Sequence, residues 1–143
     1  MKKDFRSSCP VCSTLDIIGD KWSLVIIRDM LLGHKKTFKD ISESEEAIAP
    51  SILSSRLKLL ESFEIITKRK LSGNLKENIY LLTESGINLA PVILEIVIWA
   101  DKNVRKFNKN IPSSELLGLH IDKTDFIQNI QNRYRELVEN TIG

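Results

Sequence analysis

The chain has 143 residues, a net charge of +2, 42% hydrophobic and 28% charged residues and two cysteines. That length suits one domain with one core, and the composition is that of an ordinary water-soluble protein. Two cysteines exclude a disulfide framework, and the most apolar stretch, 89–100, is interrupted by Glu95 and too short to span a bilayer. The start, "MKKDFRSS", lacks the apolar run of a secretion signal, so the expectation is a cytoplasmic protein without membrane contact.

Charge is unevenly placed. Residues 51–80 hold six Lys or Arg against three Glu, whereas from Asn110 onward five acids face three bases. The middle of the chain is locally basic and the tail is not.

In chain order, Pro10 suits the first position of a helix, with Cys9 as its N-cap. Val11, Leu15 and Ile18 follow at helical spacing and Gly19 stops the run. Asp20 is expected to cap a second helix over Lys21 to Leu32, apolar on most sides and therefore central, which Gly33 ends. "HKKTFKDISES" reads as a basic turn with His34, then a short helix capped by Thr37, with Asp40 three residues on and Phe38 and Ile41 as inward anchors.

Pro50 opens "PSILSSRLKLLES". Leu53, Leu57 and Leu60 form one apolar stripe, and the opposite face holds Ser51, Ser55, Lys58 and Ser62, with Ser54 and Arg56 on the flanks. Two β-prone runs, 65–71 and 78–82, flank a tip of Ser72, Gly73 and Asn74, a hairpin whose first strand is basic. Thr83 is expected to cap a long helix to about Lys106, bent or interrupted at Pro91. A mixed connector leads to a last amphipathic helix, expected from a Thr124 cap, with Phe126, Ile130, Tyr134 and Leu137 on one side.

Helix, short helix, helix and basic hairpin in that order make a winged helix-turn-helix, mainly α with a small β-hairpin wing. The division expected is 1–107 as the DNA-binding domain with dimerisation helices, and 108–143 as a C-terminal extension of connector plus helix. The major groove of B-DNA, about 12 Å wide, accepts one α-helix. A helix that reads it needs an apolar back for rigidity and short polar or cationic groups in front. Ser51, Ser54, Ser55 and Lys58 supply the front; Arg56 either touches DNA or braces the fold. Lys68, Arg69, Lys70 and Lys76 serve the wing, and Lys35, Lys36 and Thr37 hold phosphate at the short helix. Double-stranded DNA is thus the expected partner. The long helix is apolar on too many sides for one small core, so a homodimer is expected; the alternative is that the C-terminal helix covers the excess within one subunit.

"CPVCSTLDIIGDKWSLVIIRDMLLGHKKTFKDI", "IAPSILSSRLKLLE" and "NIYLLTESGINLAPVILEIVIWA" together resemble the HxlR-type winged-helix transcription regulators, over about Cys9 to Asp101. The resemblance implies a homodimeric, cytoplasmic, non-enzymatic DNA-binding regulator with dimer contacts from the first and long helices. Family members usually carry Gly where Glu64 stands, at a position that favours a left-handed backbone. The resemblance also implies redox sensing at Cys9, where several relatives have an oxidant- or electrophile-responsive cysteine. A thiol at a helix N-cap faces the positive end of the dipole, which favours the thiolate, and Lys2, Lys3 and Arg6 lie nearby in sequence. Cys12 pairs with Cys9, or Cys9 pairs with its mate across a dimer; family members do not generally share Cys12.

Other chemistry is less well supplied. Zinc needs four ligands, and beside the cysteines stand only the scattered His34 and His120. No phosphate-binding glycine loop is present, and "ESEE" reads as a solvated turn. No metal or cofactor is expected. Two alternatives remain: a winged-helix module that binds protein rather than DNA, and a thiol-disulfide enzyme built on Cys9 and Cys12. The second lacks the βαβ pattern that surrounds a thioredoxin-like motif.

Overall fold

The computed structural model describes residues 4–112 and 122–143. His120, Lys2, Lys3 and most of the predicted connector lie outside them. Among the described residues seven helices and one hairpin run in the order α1 (Pro10–Ile18), α2 (Ser23–Leu31), α3 (Phe38–Ser42), α4 (Pro50–Ser62), β1 (Ile66–Leu71), β2 (Asn74–Leu82), α5 (Glu84–Ile87), α6 (Ala90–Asn103) and α7 (Lys123–Ile142).

Local signals place most helix ends. Cys9 is the N-cap of α1 and Pro10 its first residue. The Thr37 hydroxyl accepts the Asp40 amide at 3.0 Å, the capping contact that the sequence predicts for α3. Pro50 starts α4. Asp20 does its capping from further out than expected. Its Oδ2 accepts the amides of Trp22 and Ser23, each at 2.9 Å, and its Oδ1 accepts the buried Ser23 hydroxyl, so regular helix starts at Ser23 rather than Lys21. The left-handed residue after α2 is His34 (φ 55°), not Gly33. Glu64 has φ 60° after α4, the conformation that its position in the family implies.

The core gathers Ile26, Ile27, Met30 and Leu31 of α2, Ile41 of α3, Leu53, Leu57 and Leu60 of α4, Ile66 and Leu82 of the hairpin, Ile87, Ala90 and, from α7, Tyr134. β1 and β2 are antiparallel, with Lys68 opposite Tyr80, Arg69 opposite Ile79 and Lys70 opposite Asn78. The register then shifts, so that Leu71 faces Asn74. The second strand therefore begins at Asn74, four residues before the expected Asn78. Residues 74–77 are exposed, so no alternating apolar pattern marks them as strand.

The outer edge of β2 is covered. The Tyr80 amide donates to Lys36 O at 2.7 Å, Thr37 bridges Ile79, and the Leu82 amide donates to the Tyr134 hydroxyl at 2.8 Å. Edge groups that would otherwise pair with a second chain are thus occupied.

The long helix expected from Thr83 to Lys106 is two helices. Thr83 does cap the first, its hydroxyl accepting the Gly86 amide at 3.3 Å, but α5 ends at Ile87. Pro91 then stands in the first turn of α6. Having no amide hydrogen, it cannot serve the Ile87 carbonyl four residues back. Gln131 Nε2 of α7 donates to that carbonyl instead, at 3.2 Å. Gly86 is required for a different reason: a Cβ there would lie 2.5 Å from the Ile65 carbonyl oxygen and 2.9 Å from Leu82. The last helix is capped by Asp122, whose carboxylate accepts the Asp125 amide at 3.1 Å, and not by Thr124.

Candidate nucleic-acid interface

α4 is held from behind and open in front. Leu53, Leu57 and Leu60 are at most 3% exposed, while Ser51, Ser55 and Lys58 lie at the surface and Ser54, Arg56 and Ser62 are half-buried. α7 packs on α6 and α2, and its last residues, Thr141 to Gly143, line one hollow with Arg69 to Asn74 of the wing. The α3–α4 turn that sets the angle of α4 is itself pinned. Arg28 Nη2 donates to Glu46 Oε1 at 2.7 Å and to Asp29 Oδ1 at 2.8 Å, and the buried Ser44 hydroxyl donates to the same Glu46 oxygen at 2.7 Å. The Arg28 and Ser44 contacts hold the Glu46 carboxyl at about 2, below the usual carboxylate range. Glu43 and Glu45 of "ESEE" are exposed as expected; Glu46 is a structural anchor that the sequence did not mark.

The wing rises directly after α4. Thr67, Lys68, Arg69 and Lys70 are all exposed, so both faces of β1 meet solvent beyond the core. Lys76 is exposed on β2. Among the described residues no carboxylate forms an ion pair with Lys58, Lys68, Arg69, Lys70 or Lys76. Five cations without internal partners therefore stand on the front of α4 and on the wing.

The remaining predicted cations are differently placed. Arg56 Nη1 lies 3.6 Å from Asp20 Oδ1, and its Nη2 donates to Ser55 Oγ at 3.3 Å. Of the two roles left open for Arg56, the geometry supplies the bracing one: it ties α4 to the α1–α2 corner. Lys35 Nζ is 3.7 Å from the Asp29 carboxylate, and Lys36 and Thr37 are half-buried beside β2. Thr37 already spends its hydroxyl oxygen on the α3 cap.

Sequence reasoning saw Asp20 only as a cap and passed over its tie to Arg56, and it assigned Lys21 no role. Asp20 is the hinge of the corner, and Lys21 is exposed with its ammonium 5.1 Å from the Trp22 ring, in a surface hollow that also takes in Ser51, Ile52 and Ser55. The Lys-Trp pair next to a capping Asp is the only signal that could have pointed to them.

Two apolar surfaces remain uncovered. Val11 and Leu15 of α1 are 66% and 52% exposed; Val92, Ile96 and Trp99 of α6 are exposed along one stripe that also includes Pro91 and Glu95. α7 covers another side of α6, where Phe126 and Ile130 line an apolar pocket together with Ile93, Leu94 and Val97. The covering of α6 by the last helix, weighed as an alternative to a dimer, is thus partial.

At the N-terminal end of α1, Cys9 is exposed and Cys12 half-buried. The Cys12 amide, then the Val11 amide, then the Cys12 thiol favour the Cys9 thiolate against a counteracting desolvation, so its pKa lies below the ordinary thiol value. The described residues contain no group of three or more His, Cys, Asp or Glu able to hold a metal ion, and no helix long and apolar enough to cross a membrane.

Comparison with known proteins bears on the same elements. The family model for HxlR-like helix-turn-helix proteins matches residues 17–108. The HTH-type transcriptional regulator YodB of Bacillus subtilis (strain 168) is 37% identical over 98 residues, covering 68% of this chain and 87% of YodB. The structure of reduced YodB superposes with a TM-score of 0.58 at 36% identity, over 68% of this chain and 95% of that one. YodB has also been solved diamide-treated and quinone-bound. The redox regulator HypR in its reduced form gives a TM-score of 0.58 at 27% identity, over 71% of this chain and 99% of that one. The span matched by the family model contains α2 to α6 with the hairpin and leaves out Cys9 and α7. On the fold, the order of its elements and this match, the chain belongs to the HxlR-like helix-turn-helix family.

Proposed function

We propose that this winged helix-turn-helix protein is a cytoplasmic, homodimeric transcriptional regulator that binds double-stranded DNA sequence-specifically and acts by binding rather than by turnover. The observation that carries the reading is the front of α4, with Ser51, Ser55 and Lys58 exposed over a sealed leucine back, beside a wing whose cations form no ion pair among the described residues. Small serines let the helix axis approach base edges, and Ser54 works from the flank. Lys58 reaches guanine or phosphate. Lys68, Arg69, Lys70 and Lys76 neutralise phosphates along the adjoining backbone, with Lys35, Lys36 and Thr37 at the far side of the turn. Arg56 positions α4 through Asp20. Residues 1–107 carry DNA binding, and 108–143 end in a helix that stiffens it.

Dimerisation uses the stripes that stay uncovered, Val11 and Leu15 of α1 and Val92, Ile96 and Trp99 of α6. Two subunits then present two reading helices to half-sites about one helical turn apart. Cys9 makes the regulator responsive to oxidants or electrophiles, a reading supported by its exposure, its thiolate character and the redox regulators among its structural neighbours.

Selection of bound duplexes from a random pool, followed by titration at two salt concentrations, tests the proposal. The expected result is an inverted-repeat site whose binding weakens steeply with salt. Enrichment of no sequence, with no salt-dependent binding, would overturn it.

A further inference from the structure

Cys9 and Cys12 hold the N-cap and third positions of the same first turn. The N-cap side chain and the third residue of a helix are neighbours that can reach one another. Neighbours at this spacing on a helix have Cβ atoms about 5–6 Å apart, and a disulfide needs about 3.5–4.5 Å, so closure draws the two side chains together by roughly 1–2 Å. Pro10 and Val11 lie between them, and Cys9, the N-cap, has extended rather than helical backbone (φ −66°, ψ 127°), so the movement falls on a residue outside the regular helix.

The N-terminal arm holds the turn from outside. The Cys9 amide donates to Ser7 Oγ at 3.2 Å, Ser13 Oγ donates to Ser7 O at 3.3 Å, and Arg6 pairs with Asp16 at 2.5 Å. The two thiols also differ in the sense that a two-step reaction needs: Cys9 is exposed and Cys12 half-buried. The chain has no third cysteine to answer from a distance.

We infer that Cys9 and Cys12 form a self-contained dithiol switch, in which a hydroperoxide oxidises Cys9 and Cys12 of the same subunit closes the disulfide. The inference rests on the reading of Cys9 as an oxidant-responsive thiol, and it adds the resolving residue and the oxidant class. In the first step the Cys9 thiolate attacks the peroxide, the O–O bond breaks, and the alkoxide or hydroxide leaves and takes a proton from water. Cys9 is now a sulfenic acid. In the second step Cys12 loses its proton and attacks Cys9 Sγ, the S–O bond breaks, and the departing hydroxide takes up that proton as water. Two thiols and one hydroperoxide yield one disulfide, one alcohol (or water) and one water. The link lies within one chain and does not tether two subunits. It stiffens the turn that carries Val11, which the dimer reading puts at the interface, so the redox state reaches the interface without a crosslink.

The full-length protein treated with one equivalent of hydrogen peroxide or cumene hydroperoxide tests this by non-reducing electrophoresis, thiol alkylation and intact mass. The wild type should keep monomer mobility, lose both alkylatable thiols and weigh about 2 Da less, all reversed by dithiothreitol. Cys12→Ser should accumulate a sulfenic acid on Cys9 that dimedone traps. A disulfide-linked dimer of the wild type, or a Cys12 that stays alkylatable after Cys9 is oxidised, would overturn the switch. Duplex titration of the reduced protein is read separately: failure to bind DNA would sink the regulator reading without touching the thiol result, and a Cys9–Cys9 crosslink would sink the switch while leaving DNA binding standing.

Discussion

Removing one oxygen from Tyr134 tests whether the last helix belongs to the core of the DNA-binding unit. The side chain is fully buried, and its hydroxyl accepts the Leu82 amide at 2.8 Å across 52 residues of sequence. Tyr134→Phe keeps the ring and its packing but leaves the Leu82 amide, on the outer edge of β2, without an acceptor. A buried donor stranded in this way costs about 1–3 kcal/mol. With an unfolding entropy of about 2.1 cal/mol/K per residue, the whole chain has roughly 0.3 kcal/mol/K, so Tm should fall by about 3–10 °C. Thermal unfolding by circular dichroism reads this directly, and amide exchange at Leu82 should quicken in parallel. Arg135→Ala is the control. Its ion pair with Glu84 at 2.9 Å is exposed to solvent and contributes under about 1 kcal/mol. Should Tyr134→Phe melt within about 1 °C of wild type, with Leu82 exchange unchanged, the hydroxyl would not be serving the strand edge, and the cost assigned to an unmade bond there would be wrong.

Lys58→Ala combined with Lys68→Ala should weaken duplex binding and reduce the slope of log K against log salt by about 2, one for each phosphate no longer neutralised; a full slope in titrations at several salt concentrations would refute the roles given to these two lysines. Trp99→Asp places a charge on the exposed stripe of α6 and should shift the protein towards monomer in sedimentation equilibrium, with the helical circular dichroism retained. Glu46 has its folded pKa lowered to about 2 from 4.5, chiefly by Arg28. Its contribution to stability is therefore complete above 4.5 and is lost as pH falls towards 2. Because the pair is partly exposed, about 0.5–1 kcal/mol is at stake, and urea titrations of wild type and Glu46→Gln should converge at the acid end of that window.

Local physics made much of the fold readable. Cys9-Pro10, Thr37 and Pro50 mark helix starts because capping and a fixed φ act within three or four residues. The stripe of Leu53, Leu57 and Leu60 names the buried side of α4 because period and face are the same thing on a helix. The wing strand Ile66 to Leu71 announced itself by β-prone ends around a basic middle. The thiolate-favouring position of Cys9 is equally local, since its helpers are the amides of its own turn.

What escaped depends on partners far along the chain. The sequence leaves Arg56 between touching DNA and bracing the fold, and only the structure shows Asp20 3.6 Å away; likewise only the structure shows Asp29 3.7 Å from Lys35. The break after Ile87 could be suspected from Pro91, but only the Gln131 amide shows how the stranded carbonyl is satisfied. The strand over 74–77 carries no apolar alternation, so only its pairing with β1 reveals it. By itself the sequence determined where most helices start and which side of each is greasy, because those are short-range steric and solvation preferences. Which cations remain free for a ligand, and which are consumed in holding the fold, was decided only when folding brought distant carboxylates and carbonyls within reach, since Coulomb and hydrogen-bond energies depend on a separation that the linear chain does not encode.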